Sequence, residues 1–109
     1  MNNLRNKVQL IGNLGREVEF KELGDGNAIA RVTIATKDIY KNAAGERVVD
    51  VQWHNLIGWG RVAEIMAVML RKGREVAVQG KLTHRTFEDK DGQKRNISEV
   101  VVSEFIPLN

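Results

Sequence analysis

The sequence contains no cysteine and only one proline, Pro107, among its 109 residues. The absence of cysteine excludes a disulfide framework, a thiol nucleophile and a thiolate metal site. The first residues carry no apolar segment of the kind that a signal peptide needs, and no apolar run approaches the ~20 residues that span a bilayer. We therefore expect a cytoplasmic protein without a membrane segment.

Aromatic residues are also scarce, at 6%, and the formal net charge is only +3, whereas 42% of the residues are hydrophobic. This length and hydrophobic content predict one domain, residues 1–109, with a single core. The small positive excess permits an anionic partner but does not establish one, because many domains without such a partner are as basic. The positions of the few rings and of the cations therefore decide the functional interpretation.

Hydrophobic alternation predicts five strands and one helix. The first strand covers about residues 7–21 and is interrupted by Gly12 and Gly15, which indicate a bend or a bulge. The other strands cover about residues 28–37, 47–57, 75–87 and 96–106, and the helix, about residues 61–70, lies between the third and fourth strands. This order is typical of an all-β OB-fold, a five-stranded Greek-key barrel, although an SH3-like barrel with an added helix has a similar pattern.

The helix is predicted from an apolar stripe at the i, i+3, i+4, i+7, i+8 spacing, formed by Val62, Ile65, Met66, Met69 and Leu70. Arg71 and Lys72 follow at the expected end of the helix, and Gly73 is expected to cap it. Cations at that end suit the negative end of the helix dipole, so helix capping alone would account for them.

The two tryptophans, Trp53 and Trp59, lie at the end of the third predicted strand with an even spacing between them. That spacing places both rings on the same side of a regular strand. From the residues alone, core packing and an exposed stacking surface are equally compatible with the pattern. Asn55 shares the side of Trp53, and glycines flank Trp59, so we favour exposure.

Lys81, Arg85 and Phe87 share one side of the fourth predicted strand, which places two cations and a ring together. Flat rings beside cations are what a surface needs to stack nucleic-acid bases and to hold phosphates. Single-stranded nucleic acid is therefore the ligand class that these residues favour.

No constellation of catalytic or metal-binding residues accompanies this pattern. The two histidines, His54 and His84, belong to no HExxH motif, and the glycines form neither a phosphate-binding loop nor a dinucleotide fingerprint. No serine lies in a nucleophile-elbow motif. We therefore expect no enzymatic activity, no metal and no cofactor.

Seven short segments, spread over nearly the whole chain, belong together as motifs. They are Asn6-Lys7-Val8, Ile11-Gly12-Asn13-Leu14-Gly15, Ala35-Thr36, Trp53-His54, Gly60-Arg61-Val62-Ala63-Glu64, Leu70-Arg71-Lys72-Gly73 and Val78-Gln79-Gly80-Lys81-Leu82. In this order they resemble bacterial single-stranded DNA-binding protein (SSB), and the number of segments in a common order makes the resemblance specific. The resemblance implies an OB-fold that assembles as a homo-oligomer, with a tetramer as the expected state, and that wraps single-stranded DNA.

The resemblance also assigns roles to individual residues. The family's base-stacking positions fall on Tyr40, Trp53, Trp59 and Phe87, and His54 falls at a subunit contact. Tyr40 and Phe87 stand where tryptophan is common in relatives, so each offers a smaller stacking area. The order of the cations expected to contact phosphate comes from their own positions on the strands and beside the helix, and not from the resemblance. In decreasing order of expectation they are Arg85, Lys81, Arg61, Lys72, Arg71, Arg31 and Lys7.

The resemblance thus implies sequence-independent binding and protection of single-stranded DNA in replication, recombination and repair, at the bacterial nucleoid. Relatives carry a long tail with an acidic tip that recruits other proteins, whereas this sequence stops at Asn109, so tail-dependent partners are not carried over. A tail-less paralogue or a primosome-type OB-fold that acts mainly in protein assembly is the alternative. An RNA-binding OB-fold of the cold-shock type is a third, because only a contact to the 2′-OH would separate it from a DNA-binding one.

Overall fold

The computed structural model describes residues 4–108, which form a six-stranded sheet with one α-helix and one short 3-10 helix. The 3-10 helix, Leu4–Asn6, precedes the sheet. The strands are β1 (Val8–Leu14), β2 (Glu19–Gly24), β3 (Asn27–Lys41), β4 (Arg47–Trp59), β5 (Glu75–Glu88) and β6 (Lys94–Pro107). Helix α1 (Arg61–Met69) lies between β4 and β5.

The sheet closes into a barrel because β1 pairs with two different strands. It runs antiparallel to β5 along residues 8–13 and also pairs with β3, where Asn13 faces Ala35 and Leu14 faces Ile34. β6 lies between β5 and β4, antiparallel to β5 and parallel to β4 over the short stretch 99–101. The predicted five-stranded OB-fold barrel, with its helix between the third and fourth barrel strands, is confirmed.

The first predicted strand is divided into β1 and β2, which both pair with β3. The interruptions expected at Gly12 and Gly15 coincide with close approaches between parts of the chain. A Cβ atom at Gly12 would collide with the Ala35 carbonyl, and one at Gly15 would collide with the Trp53 ring. Glycine at these two positions lets the chain bend while it passes close to its neighbours.

Alternate residues of the strands fill the barrel. On β3 the buried side consists of Ala28, Ala30, Val32 and Ile34, which are alternate residues of the strand. The other strands contribute Leu14, Leu56, Val76, Val78, Val100 and Val102. Removing these apolar side chains from water stabilises the barrel by about 25 cal/mol for each Å² that is buried.

Helix α1 packs against the barrel through Ala63 and Met66. The predicted stripe is partly wrong, because Ile65 and Met69 are exposed whereas Ala63 is fully buried. The helix packs here against β4, where a Cβ atom at Gly58 would collide with Sδ of Met66. Glycine at position 58 therefore makes room for the Met66 side chain. Neither helical segment of residues 4–108 is long and apolar enough to cross a bilayer.

The prediction that Gly73 caps α1 is also wrong. The helix ends at Met69, and Leu70 is extended and almost completely buried. Gly73, at φ +85°, lies in the following turn, where its N–H donates to the Leu14 carbonyl at 2.8 Å. Burial of Leu70 in the core therefore ends the helix before a glycine cap can form.

β3 and β4 continue beyond the barrel as a two-stranded arm, residues 37–51. Their antiparallel ladder has no register shift from the pair Ile29 and Trp59 to the pair Lys41 and Arg47. β3 therefore reaches Lys41 instead of ending near residue 37 as predicted, because the polar residues at its end still find partners in β4.

Candidate nucleic-acid interface

One side of the β3–β4–β6–β5 sheet points away from the core, and we call it the outer face. Strand alternation places on it the side chains of Arg31, Trp53, Asn55, Trp59, Lys81, Arg85, Phe87 and Glu99. The parallel pairing of β4 with β6 brings Asn55 beside Glu99. The structure thus joins on one face the tryptophan pair and the Lys81–Arg85–Phe87 group, which the sequence predicts separately.

Both tryptophans are exposed, as the sequence favours. Trp53 has 61% and Trp59 has 50% of its surface accessible to solvent, so neither ring belongs to the barrel core. The Trp53 ring lies against Gly15, with Cζ3 and Cη2 in the space where a Cβ atom would stand. The backbone supports one part of the indole while the rest stays open, which suits the stacking of a base.

Tyr40 is also exposed, but it lies in the arm on the side opposite to Trp53. In the unbroken ladder Tyr40 pairs with Val48 and therefore shares the side of Thr36 and His54. The Oγ1 atom of Thr36 lies 2.9 Å from Nε2 of His54, which confirms that these two side chains point the same way. A nucleic-acid strand that contacts both Tyr40 and Trp53 has to pass around an edge of the arm.

Arg85 links a buried carboxylate to an exposed ring. Its Nε lies 2.9 Å from Oε1 of Glu99, and its Nη2 lies 3.5 Å from Oε2. Its Cζ lies 5.6 Å from the centre of the Phe87 ring, within the range of cation–π attraction. The hydrogen bond to Glu99, and then the charge of Glu99, raise the pKa of Arg85. The cation expected first to contact phosphate is therefore already paired within the chain.

A cleft of about 210 Å³ opens on the outer face. Arg31 and Arg85 line it together with Asn55 and Glu99, and Arg16 also contributes to its wall. Among residues 4–108, Arg31 has no acidic side chain within ion-pair distance, whereas Arg16 pairs with Glu19 at 2.8 Å. Of the arginines in this cleft, Arg31 is therefore the most available to a phosphate.

A second cleft, of about 370 Å³, brings together Lys7 and Lys81, which are distant in the sequence. Arg5 of the 3-10 helix lines it as well. Asn6 fastens this helix to β5, because its Oδ1 accepts from the Leu82 N–H at 2.9 Å and its Nδ2 donates to the Leu82 carbonyl at 3.0 Å. Since Lys81 belongs to both surfaces, the cations continue from the outer face to the N-terminal segment.

The three predicted cations that flank α1 line neither of these clefts. Arg61 is the first residue of the helix, and its side chain is exposed. Arg71 donates from Nη1 to the Leu70 carbonyl at 2.9 Å, so it satisfies a backbone group at the end of the helix. The Lys72 side chain is exposed. Phosphate binding by these three residues stays a prediction.

The hairpin tip beside Phe87 is closed by Asp89. Its Oδ1 accepts from the N–H groups of Asp91 at 2.9 Å and Gln93 at 3.0 Å, and its Oδ2 accepts from Nε of Arg95 at 2.8 Å. The bond from Arg95, followed by that from Gln93, lowers the pKa of Asp89. The ionised carboxylate thus holds the turn that follows the ring.

His54 is half-buried, and its predicted subunit contact is not tested by a single chain. Within residues 4–108, no three side chains of the histidine, cysteine or acidic type are grouped so that they could hold a metal ion.

Sequence reasoning missed four charged residues of this surface, namely Arg5, Arg16, Arg95 and Glu99. Glu99 could have been found from the sequence. It directly precedes the valine run of residues 100–102, so it is a charged residue next to an apolar segment of the strand. A carboxylate in such a segment needs a cationic partner when it is buried. Strand pairing identifies that partner as Arg85, which no sequence spacing indicates.

Comparison with known proteins gives consistent matches. The model of the single-strand binding protein family matches residues 5–108. The chain is 36% identical over 101 residues, 92% of its length, to single-stranded DNA-binding protein 1 of Chlorobaculum tepidum. It spans 62% of the length of that relative.

Two solved structures are similar over nearly the whole chain. A Plasmodium falciparum SSB in complex with single-stranded DNA has a TM-score of 0.86 and 31% identity, and the match covers 100% of both chains. A deletion mutant of the single-stranded DNA-binding protein from Thermus aquaticus has a TM-score of 0.82 and 30% identity, over 95% of this chain and 50% of that one.

Proposed function

Because this chain belongs to the single-strand binding protein family, we propose that it binds and protects single-stranded DNA without regard to base sequence. Such binding serves replication, recombination and repair, and its place is the bacterial cytoplasm, at the nucleoid. The complex of the Plasmodium falciparum SSB with single-stranded DNA supports the same class of ligand.

The observation that carries the proposal is the joint exposure of Trp53 and Trp59 on a face that also presents Arg31, Lys81 and Arg85. Large exposed rings are costly to solvate, and a protein that needed them only for stability would bury them. Rings that stay open beside cations instead match the two parts of a nucleotide, its base and its phosphate.

The rings of Trp53, Trp59, Phe87 and Tyr40 are proposed to stack bases, each at a gain of ~1–3 kcal/mol. Because every base has a flat face, this contact tolerates any sequence. Among the predicted phosphate contacts, Arg31, Arg85, Lys81 and Lys7 have the strongest support, since they line the two clefts. Duplex DNA should bind poorly, because its bases are already stacked on each other. The proposed activity is binding, and no bond of the DNA is made or broken.

We also propose that the chain forms a homo-oligomer, with a tetramer as the expected state. The outward sides of β1, β5 and β6 form an apolar groove in which Ile11, Ala77 and Ile106 lie side by side. Ile11 and Ile106 are 61% and 65% exposed, and a second copy of the chain would cover them. His54 is included in the proposed contact through the family resemblance.

Tryptophan fluorescence during titration with unstructured oligo(dT) tests the proposed function. We expect strong quenching by oligo(dT) and little by a duplex of equal length. The logarithm of the binding constant should fall linearly with the logarithm of salt concentration, by about 0.7 for each phosphate that is neutralised. Trp53→Ala should weaken binding, whereas Val68→Ala, at an exposed position of α1, is the matched control and should not.

Absence of binding at low salt would contradict the proposal and favour an OB-fold that acts in protein assembly. Tighter binding of oligo(U) than of oligo(dT) would instead favour an RNA-binding role, because the 2′-OH would then contribute to the contact.

A further inference from the structure

Glu99 is an acidic residue in the middle of a surface that is proposed to hold a polyanion. It is 6% exposed and is the one buried charged side chain among residues 4–108. A carboxylate repels a nearby phosphate, and it does so more strongly where water is excluded. A carboxylate at this place therefore requires a favourable contribution to binding that offsets the repulsion.

The geometry of the ion pair between Glu99 and Arg85 accounts for this favourable contribution. Both oxygens of Glu99 face Arg85, at 2.9 Å from Nε and 3.5 Å from Nη2, so the plane of the guanidinium is fixed. A guanidinium has five N–H donors, of which this side-on pairing uses two. The remaining three point away from the carboxylate and can donate to a phosphate while the ion pair stays intact.

The same pairing determines where the cation stands relative to Phe87. The Arg85 Cζ lies 5.6 Å from the centre of the ring, and the side chain is 45% exposed. A flexible arginine without Glu99 would sample many rotamers, and each binding event would have to order it again. With Glu99 in place, the guanidinium and the Phe87 ring form a fixed pair.

We propose that Glu99 is a positioning residue, which holds the Arg85 guanidinium beside the Phe87 ring so that one nucleotide meets its phosphate contact and its base contact already in place. This inference rests on the proposed function and extends it to a residue whose charge alone would oppose binding.

Two substitutions of Glu99 separate positioning from simple charge. Glu99→Gln removes the negative charge and breaks the ion pair, whereas Glu99→Asp keeps the charge but is too short to hold Arg85 in the same way. Positioning predicts that both variants bind oligo(dT) about threefold more weakly, or worse. A purely electrostatic role predicts that Glu99→Gln binds more tightly than the wild type and that Glu99→Asp binds equally well.

The matched control is Glu22→Gln, which removes the same charge from an exposed position of β2, a strand outside the outer face. It should leave affinity unchanged or raise it slightly. Thermal melting establishes that each variant is folded. If Glu99→Gln does not fold, the affinity of Glu99→Asp for oligo(dT) is sufficient to test the proposal.

A double variant tests whether Glu99 acts through Arg85. In an Arg85→Gln background, the further change Glu99→Gln should cause no additional loss of affinity. Tighter binding by Glu99→Gln in the wild-type background, with a salt dependence steeper by about 0.7, would overturn the proposal, because it would show that Glu99 only neutralises the charge of Arg85 and keeps it from a phosphate. Wild-type affinity in Glu99→Asp would overturn it as well. Failure of the wild type itself to bind oligo(dT) would instead contradict the proposed function.

Discussion

The Trp53 ring covers the backbone of Gly15, although the two residues are far apart in the sequence. The indole can lie there only because Gly15 has no side chain. The orientation of a ring in the proposed DNA-binding surface is thus set by a residue of the bend between β1 and β2.

Gly15→Ala should weaken the binding of oligo(dT) while the barrel stays folded. The three atoms nearest to the added methyl group all belong to the side chains of Trp53 and Thr33 and none to a backbone, so we expect the ring to move and the fold to be retained. Loss of one stacking contact should reduce affinity by about tenfold, measured by fluorescence titration. In a Trp53→Ala background the same substitution should leave affinity unchanged. An equal loss in that background would show that Gly15 acts by another route.

Tyr40→Ala and Trp53→Ala should respond differently to the length of the DNA. Because the two rings lie on opposite sides of the arm, a short oligonucleotide can cover Trp53 without reaching Tyr40. Trp53→Ala should therefore weaken the binding of both short and long oligo(dT), by about tenfold or more, whereas Tyr40→Ala should weaken only that of long oligo(dT). Titrations over a series of lengths measure this. Equal losses at every length would place both rings in one contact.

Asp89→Ala should loosen the hairpin tip beside Phe87. It removes the acceptor for two backbone N–H groups and the partner of Arg95, whereas Asp89→Asn keeps an acceptor and loses only the ion pair. Amide hydrogen exchange over residues 88–94 should be fastest in Asp89→Ala and intermediate in Asp89→Asn. Unchanged exchange in Asp89→Ala would show that the turn is held by its backbone alone.

The carboxylate of Asp89 also makes the stability of the hairpin tip depend on pH. The pKa of Asp89 is lowered in the folded chain, so the folded state favours the carboxylate over the acid. The stabilisation is complete above the ordinary pKa of an aspartic acid and is lost as the pH falls through the lowered value. Exchange at the tip, corrected for the intrinsic effect of pH, should therefore rise on the acid side in the wild type and change less in Asp89→Asn.

Ile106→Glu should dissociate the proposed homo-oligomer. The substitution places a charge in the apolar groove beside Ile11, where burial against a second copy would cost more than the contact contributes. Analytical ultracentrifugation should show a smaller species. Val68→Glu is the control, since Val68 is 71% exposed on α1, outside the groove, and its variant should keep the wild-type mass. An unchanged mass for Ile106→Glu would show that the groove is not the interface.

The barrel was predictable because apolar residues recur at every second position along much of β3 and β5. The apolar residues of β3 from Ala28 to Ile34 fall on the buried side as the pattern requires, and a period of two has few other physical interpretations. The exposure of Trp53 and Trp59 is confirmed for a similar reason, since Asn55 shares their side of the strand. Base stacking by these rings stays a prediction.

The details that the sequence did not provide depend on contacts between distant segments. Ala63, and not Ile65, lies on the buried side of α1, where Met66 packs against Gly58 of β4, and helical periodicity contains no information about that neighbour. The pairing of Arg85 with Glu99 depends on the register between β5 and β6. A ranking of cations by spacing alone could not distinguish a free arginine from a paired one.

The position of β6 between β4 and β5 has a consequence for synthesis on the ribosome. Of the six strands of the sheet, β6 is translated after the others and completes the middle of the sheet, so the barrel cannot close until residues 94–107 have left the exit tunnel. Until then the inward valines of β5 and the unpaired edge of β4 remain exposed in the nascent chain. Topologies dominated by such long-range pairing fold slowly and are open to aggregation before closure. Folding of this barrel is therefore largely all-or-none, because the other five strands cannot form the closed sheet without β6.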